Sequence, residues 1–325
     1  MKIRSLGYIG LGSRDPRAWM RFATDVLGMM PARGVPGESW DPVSRAAAVT
    51  RPPGIGGDGS VYLKMDERQW RIAVHPRDDD RDLLYLGLEV DGPQALADGI
   101  TELRAAGHAV RTGTAGEAFT RAVTGIAFVE DPSGNALELF WGPTTDYQFR
   151  SPVPGQRFVA GPLGLGHVNL FVRNQAACFD FYTRLLGFRL SDYIRYGAEA
   201  SLQFLRCNPR HHSIAMVDLG SGNALQHMLV EMASIDDVGR ALDRARRAGV
   251  SMVSSLGRHR NDGMLSFYMR SPGGFDMEVG CDGKLLDETW TTNEFCEGDV
   301  WGHDGLVEAV IEAGEAARRR ADGQG

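Results

Sequence analysis

The sequence predicts an α+β protein built from four strand–helix–strands units of about 60–75 residues, paired into two domains. Three observations carry that expectation. An opening strand and helix recur in the second half of the chain with their apolar faces in step. A second strand–helix pair recurs in the same way. A turn running into an apolar strand that carries one glutamate closes each half.

In order, Leu6-Gly-Tyr8-Ile-Gly reads as a strand, followed by Asp15 as helix N-cap and Pro16 as first helical residue. Trp19, Phe22, Ala23, Val26 and Leu27 share one helical face, and Gly28 stops the helix. The second copy runs Leu165-Gly-His167-Val-Asn-Leu-Phe, cap Asn174, face Cys178, Phe181, Tyr182, Leu185 and Leu186, stop Gly187. In the other pair of units, the strand from Leu83 to Val90 and a helix opened by Pro93 match the strand Ala224 to Met232 and a helix capped at Ser234. Ser234-Ile-Asp-Asp237 is a capping-box variant with Asp at the far position. Asp131-Pro-Ser-Gly-Asn-Ala-Leu-Glu138 matches Ser271-Pro-Gly-Gly-Phe-Asp-Met-Glu278.

These units divide the chain into a first domain over 1–145, a linker over 146–162, a second domain over 163–302 and a tail over 303–325. Gly34 to Ser60, with Pro36, Pro52, Pro53 and six glycines, has no counterpart and reads as an inserted loop. The tail contains a helix-prone stretch from Leu306 to about Ala321.

Composition excludes several classes of function. A net charge of −7 leaves no basic footprint for nucleic acid and no polybasic membrane patch. No run approaches the roughly 20 apolar residues of a membrane span, and the N-terminus lacks a signal peptide's apolar core. Cys178, Cys207, Cys281 and Cys296 are scattered without a Cys-x-x-Cys pair, so they read as reduced thiols and imply a cytoplasmic address.

The duplication supplies an internal comparison. His167 stands opposite Tyr8, His227 opposite Tyr85, Glu278 opposite Glu138, and His212 roughly opposite Trp70. The second copy therefore holds two imidazoles and a carboxylate where the first holds two phenols and a carboxylate. Two histidines and one carboxylate form the facial triad suited to non-haem Fe(II), with coordination positions left open. A lone histidine on an apolar strand is more often a satisfied core residue. Here two occupy equivalent places in paired units, and a glutamate lies in a third apolar strand. The first copy lacks the imidazoles, so it is expected to bind no catalytic metal, with Glu138 bonded to Tyr8 or Tyr85 instead.

Four stretches carry a resemblance to a known family: Gly164-Leu-Gly-His167; Phe204-Leu-Arg-Cys-Asn-Pro-Arg-His211-His212-Ser; Gln226-His227-Met-Leu-Val-Glu; and Gly257-Arg-His259-Arg-Asn261-Asp262 through Tyr268 to Glu278. Over nearly the whole chain it resembles the two-domain, type I extradiol dioxygenases of the vicinal oxygen chelate superfamily. Within them it resembles the dihydroxybiphenyl and steroid-catechol enzymes. Ser271 departs mildly from the family pattern, and Gln226 stands where many relatives have a second histidine, which points to His227 as the ligand.

The resemblance implies a glyoxalase-like fold of paired βαβββ modules, eight strands per domain curling into a half-open barrel. It implies Fe(II), with Mn(II) in some relatives, and a catechol cleaved with O2. It also implies a homo-oligomer, often an octamer. His167, His227 and Glu278 become the metal ligands and His212 the acid–base residue near O2. His211, its neighbour, is expected to point outward. His259 and Tyr268 become the groups on the substrate hydroxyls, while Asn261 and Asp262 order the same loop beside the pocket. His303 is expected to be structural, and His75 and His108 to lie on the surface. Short loops at Arg195–Ser201 and Asp218–Asn223 are compatible with a bicyclic or 3-substituted catechol such as 2,3-dihydroxybiphenyl. Two other functions remain open: a metal-dependent isomerase or lyase of the same superfamily, which has no need of His212, His259 and Tyr268 together, and a non-catalytic ligand-sequestering protein.

Overall fold

The computed structural model describes residues 1–38, 52–79, 82–196 and 200–323. Of the Gly34–Ser60 insertion, 39–51 lie outside the described residues, as do 197–199 of the Arg195–Ser201 loop.

The first half folds as β1 (Ile3–Ser13), α1 (Pro16–Arg21), β2 (Met30–Pro31), β3 (Val61–Lys64), β4 (Ile72–Pro76), β5 (Leu83–Val90), α2 (Pro93–Ala105), β6 (Arg111–Thr112), α3 (Ala115–Thr120), β7 (Gly125–Glu130) and β8 (Ala136–Trp141). The second half gives β9 (His167–Phe171), α4 (Gln175–Asp180), β10 (Arg189–Tyr196), β11 (Ala200–Arg206), β12 (Ile214–Val217), β13 (Ala224–Glu231), α5 (Ile235–Arg247), β14 (Gly257–His259), β15 (Leu265–Arg270) and β16 (Asp276–Cys281). After these come β17 (Asn293–Phe295), β18 (Asp299–Trp301) and α6 (Leu306–Ala321).

The first sheet runs β2-β3-β4-β1-β5-β8-β7-β6, and the second repeats that order as β10-β11-β12-β9-β13-β16-β15-β14. Each is centred on one antiparallel pair, β1 with β5 and β9 with β13. The repeat extends to single residues. Tyr8 pairs with Gly87, which pairs with Glu138, which faces Phe128. His167 pairs with Leu229, which pairs with Glu278, which faces Tyr268. A one-residue slip would turn every one of these side chains to the opposite face.

Local chemistry explains the boundaries. Asp15, Asn174 and Ser234 accept bonds from the N–H groups of Ala18, Ala177 and Asp237 at their helix starts. Gly28 and Gly187 sit at φ 75° and 72° where the first helix of each half stops. Both of those helices widen into a π turn, Phe22–Leu27 and Phe181–Leu185, which apolar periodicity does not distinguish from an α-helix. Helix α3 was not legible as apolar periodicity. It is a single short element held by a capping box between Thr114 and Glu117.

The apolar outer faces of both sheets and their helices form one continuous buried cluster. Trp19 of α1 stacks on Phe275 of the β15–β16 turn with ring centroids 5.6 Å apart. Arg244 of α5 donates to the carbonyl of Val26 at 2.9 Å. The segment expected to be a linker is tied down as well, since its Gln156 side chain is buried and bonds the Leu27 carbonyl. What positions the site is the other, concave face of the second sheet.

Candidate active site

His167 opens β9, directly after Gly166. A Cβ on Gly166 would lie 2.0 Å from the Leu229 carbonyl oxygen, so only glycine lets β9 enter this close to β13. His227 comes from β13 and Glu278 from β16, its parallel neighbour. The three side chains converge. His167 Nε2 lies 3.0 Å from His227 Nε2 and 3.1 Å from Glu278 Oε2, and His227 Nε2 lies 3.4 Å from the same oxygen.

All three are buried. Burial pushes the Glu278 carboxyl up, but the imidazoles of His167 and His259 outweigh it and hold the group well below the usual carboxylate range. Burial pushes His227 down to about 3, against the opposing pull of Glu278. The centre is thus a carboxylate beside a neutral imidazole, the protonation states that ligation requires.

The fit to a metal can be tested on this geometry. Neither Glu278 oxygen accepts a hydrogen bond of good angle, although both are fully buried. An unsatisfied buried carboxylate is costly unless something else satisfies it. The described residues hold two more clusters of ligand-type atoms, His211/His212/Asp262 and His259/Asp299/His303. Hydrogen bonds inside the protein already engage those two. His211 bonds Asp192 at 2.8 Å, and Asp299 receives His259 at 2.7 Å and His303 at 2.6 Å. The His167, His227 and Glu278 set is the one whose carboxylate accepts no hydrogen bond of good angle, and its donor set suits non-haem Fe(II).

His212 stacks on His167 with ring centroids 3.9 Å apart. In the first half, Trp70 packs tilted against Tyr8 with ring centroids 4.5 Å apart, so the correspondence of His212 with Trp70 is visible in the rings. Burial and the neighbouring His167 push His212 well below the ordinary histidine value. His211 does not point outward. Arg210 to Ser213 precede β12 in irregular backbone, so strand alternation does not apply there, and both histidines are buried. His211 Nδ1 meets His212 Nδ1 at 3.0 Å.

His259, at the end of β14, places Nε2 2.8 Å from the Tyr268 hydroxyl and 3.5 Å from Glu278 Oε1. Burial pulls His259 down, but Asp299 and Glu278 win and raise it well above 6.5. Burial and Glu278 raise Tyr268 well above 10. Asn261 and Asp262 order the loop: their carbonyls accept from Lys284 Nζ at 2.6 Å and Lys284 N at 2.8 Å. Asp262 also lies 3.9 Å from His212 Nδ1.

Sequence reasoning missed Asp299. It arrives on β18, outside the repeat, and its partner His303 is buried beside His259 with a centroid separation of 4.2 Å. It also missed Arg121. In the first half, Glu138 accepts from Tyr8 at 2.8 Å, as expected, and from Arg121 Nε and Nη2 at 2.9–3.1 Å. Tyr85 bonds His75 at 2.7 Å, not Glu138. A guanidinium thus satisfies the carboxylate that the second half leaves open. Two surface expectations are corrected: His75 is half-buried between Ser60 and Tyr85, and His108 is half-buried with its ring 4.8 Å from Phe181.

An apolar strip leads away from His212. Phe204 meets the His212 ring at 4.9 Å. It clusters with Ile194 and Ala215, and through Leu202 with Phe171 and Val217. Residues of α6, Val310, Ala313 and Ala317, pack on the far end.

Residues 164–279 match the Glyoxalase/Bleomycin resistance protein/Dioxygenase superfamily, and residues 6–40 match the first domain of dihydroxybiphenyl dioxygenase. The chain is 39% identical to an iron-dependent extradiol dioxygenase of Rhodococcus jostii (strain RHA1), over 94% of this chain and 98% of that one. It is 36% identical to a biphenyl-2,3-diol 1,2-dioxygenase of Paraburkholderia xenovorans (strain LB400), over 99% and 100%. The crystal structure of a halotolerant catechol dioxygenase superposes with a TM-score of 0.83 at 32% identity, covering 94% of this chain and 95% of that one. By fold, by the arrangement of its buried histidines and carboxylate, and by likeness along nearly its full length, this chain belongs to the extradiol ring-cleaving dioxygenases.

Proposed function

We propose that the protein is an Fe(II)-dependent enzyme that cleaves the ring of an apolar-substituted catechol beside its two hydroxyls, as in 2,3-dihydroxybiphenyl. The observation that carries this reading is the Glu278 carboxylate, buried without a protein hydrogen-bond partner between two imidazoles. His167, His227 and Glu278 would hold the metal. When bound, Fe(II) supplies neighbouring open positions for both catechol oxygens and for O2, and it lowers the pKa of the bound hydroxyl. Both oxygen atoms end in the product, so no outside reductant enters the balance.

The remaining residues handle protons and position. His259 is cationic at neutral pH, because Asp299 and Glu278 raise it. Its Nε2 and the Tyr268 hydroxyl form a donor pair beside Glu278, placed to hold a catecholate oxygen and share its proton. Asp192 can only accept, so His211 donates to it from Nε2, and His211 Nδ1 shares one hydrogen with His212 Nδ1. Pushed down by burial, His212 is neutral at working pH and is the base that can take a proton there and return it.

The Phe204-to-Phe171 strip supports a two-ring catechol. His167 and Phe171 are four residues apart on one strand, about 13 Å at a rise of roughly 3.3 Å per residue. That span is long enough for a second ring, with the α6 residues Val310, Ala313 and Ala317 at its far end. We place the protein in a reducing compartment, the cytoplasm, which suits its four free cysteines, and no helix is long and apolar enough to cross a membrane among the described residues. We also expect a homo-oligomer of up to eight chains, and Fe(II) in preference to Mn(II).

The test is anaerobic loading with Fe(II), then O2 uptake and visible absorbance with catechol, 3-methylcatechol, 1,2-dihydroxynaphthalene and 2,3-dihydroxybiphenyl. The reading expects O2 consumption and a yellow product, with the two-ring catechols best. No uptake and no absorbance with any of the four would refute it.

A further inference from the structure

Behind the His227 ring runs a chain of buried polar groups that ligation alone does not require. The register of β13 against β9 shifts between Leu225 and His227. In a regular strand, neighbouring side chains point to opposite faces. This bulge lets Gln226 turn its carboxamide back onto His227, where Gln226 Oε1 meets His227 Nδ1. The same oxygen accepts from Asn169 Nδ2 at 3.1 Å, and Gln226 Nε2 donates to Asp276 Oδ2 at 3.1 Å. Arg270 Nη1 lies 2.7 Å from the other Asp276 oxygen. Gln226, Asn169 and Asp276 are 1%, 5% and 0% exposed, so water does not compete for these bonds.

The direction of every bond is fixed from both ends. Asp276 as a carboxylate only accepts, so Gln226 must present its amide nitrogen there and its oxygen to His227. An oxygen only accepts, so His227 Nδ1 must carry the hydrogen. The lone pair is then on Nε2, the atom that faces His167 and Glu278. Asn169 turns its nitrogen to the same oxygen and leaves its own Oδ1 without a partner. That unsatisfied buried acceptor is what bracing the Gln226 oxygen costs.

We propose that Gln226, braced by Asn169 and Asp276, is a positioning residue that locks His227 in the Nδ1–H tautomer and so presents Nε2 to the metal. The inference rests on His227 being a ligand. Because a neutral amide stands between Asp276 and the imidazole, the ring is oriented without a carboxylate drawing off its proton, and the ligand stays a neutral imidazole.

The experiment loads the full chain anaerobically with Fe(II) and follows its release to excess ferrozine. The Co(II)-loaded protein is examined by visible absorption in parallel. Loss of an outer-shell partner of a ligating histidine weakens metal binding by about 10–100-fold. Gln226→Leu is expected to weaken Fe(II) binding by that factor and to shift the Co(II) bands. Asn169→Val, suited to a strand, is expected to weaken binding several-fold, and it carries the test if Gln226→Leu does not fold. Fe(II) binding by the variants within threefold of wild type, with unchanged Co(II) bands, overturns the inference while leaving the metal centre standing. A wild-type chain that retains no Fe(II) removes the metal reading and this inference together.

Discussion

Glu138 and Glu278 occupy the same place in the two halves, yet replacing each with leucine should have different consequences. Glu138 is held by Tyr8 and by two nitrogens of Arg121, with only 4% of its side chain exposed. Removing one partner of a buried ion pair costs about 3–5 kcal/mol, because the other charge is left without its counter-ion. Arg121 keeps 23% of its side-chain exposure, which favours the lower end of that range. The Tyr8 hydroxyl loses its acceptor as well, about 1 kcal/mol more. Glu138→Leu should therefore destabilise by about 3–4 kcal/mol, a midpoint loss of roughly 6–16 °C at about 2–4 °C per kcal/mol. Glu278 accepts no hydrogen bond of good angle, so its removal forfeits only the pull of the His167 and His259 imidazoles that holds it ionised. Its partner His259 keeps Asp299 at 2.7 Å. Glu278→Leu should therefore cost less than Glu138→Leu in metal-free protein. The assay is thermal and urea unfolding of chelator-treated protein for wild type and both variants, each repeated with excess Fe(II). Fe(II) at a hundredfold its dissociation constant should add about 2.7 kcal/mol to wild type and Glu138→Leu, and nothing to Glu278→Leu. If Glu278→Leu costs as much as Glu138→Leu without metal, the protein itself satisfies Glu278 and the argument for a metal there is lost.

Three further outcomes are expected. His212→Phe should retain Fe(II) and the stack on His167 while kcat falls about 10²–10⁴-fold, the usual contribution of a positioned acid–base group; unchanged kcat, measured by O2 uptake, would remove His212 from proton transfer. Metal-free protein should lose stability as pH falls from about 6.5 toward 3, since His227 stays neutral when folded but protonates when unfolded, with a slope near 1.4 kcal/mol per pH unit. His212 acts in the same direction, while His259, raised on folding, favours the folded state below about 6.5 and loses that contribution as pH rises through its folded value. Urea midpoints from pH 4.5 to 7.5 measure the slope, and His227→Phe should flatten it; an unchanged slope in that variant contradicts a buried neutral His227. Truncation after Gly305 removes the α6 wall. Losing about 50 Å² of apolar contact is worth about 1 kcal/mol, so kcat/KM for 2,3-dihydroxybiphenyl should drop roughly fivefold relative to catechol; an unchanged ratio would show that the second ring does not reach α6.

The duplicated text determined much of this protein by itself. Residues that superpose in sequence fold alike, so four units in two domains and the correspondence of Tyr8 with His167, Tyr85 with His227 and Glu138 with Glu278 were legible, while the eight strands per domain came from the family resemblance. The same comparison singled out the His, His and Glu set, because the second copy alone carries imidazoles at those places. The groups that arrive from outside the repeat were not legible. Asp299 reaches His259 on a strand added after the fourth unit, and Arg121 reaches Glu138 from the end of a short helix with no counterpart. The orientation of His211 was misjudged, since a rule for strands was applied to a segment that is not one. The two π turns read as plain helix, and the bulge that turns Gln226 onto His227 left no mark in the text. Sequence periodicity reports which face a side chain shares with its neighbours along one element. Which charge meets a buried carboxylate, and which atom of an imidazole carries the proton, depend on partners far away in the chain, and only the folded sheets bring those within hydrogen-bond reach.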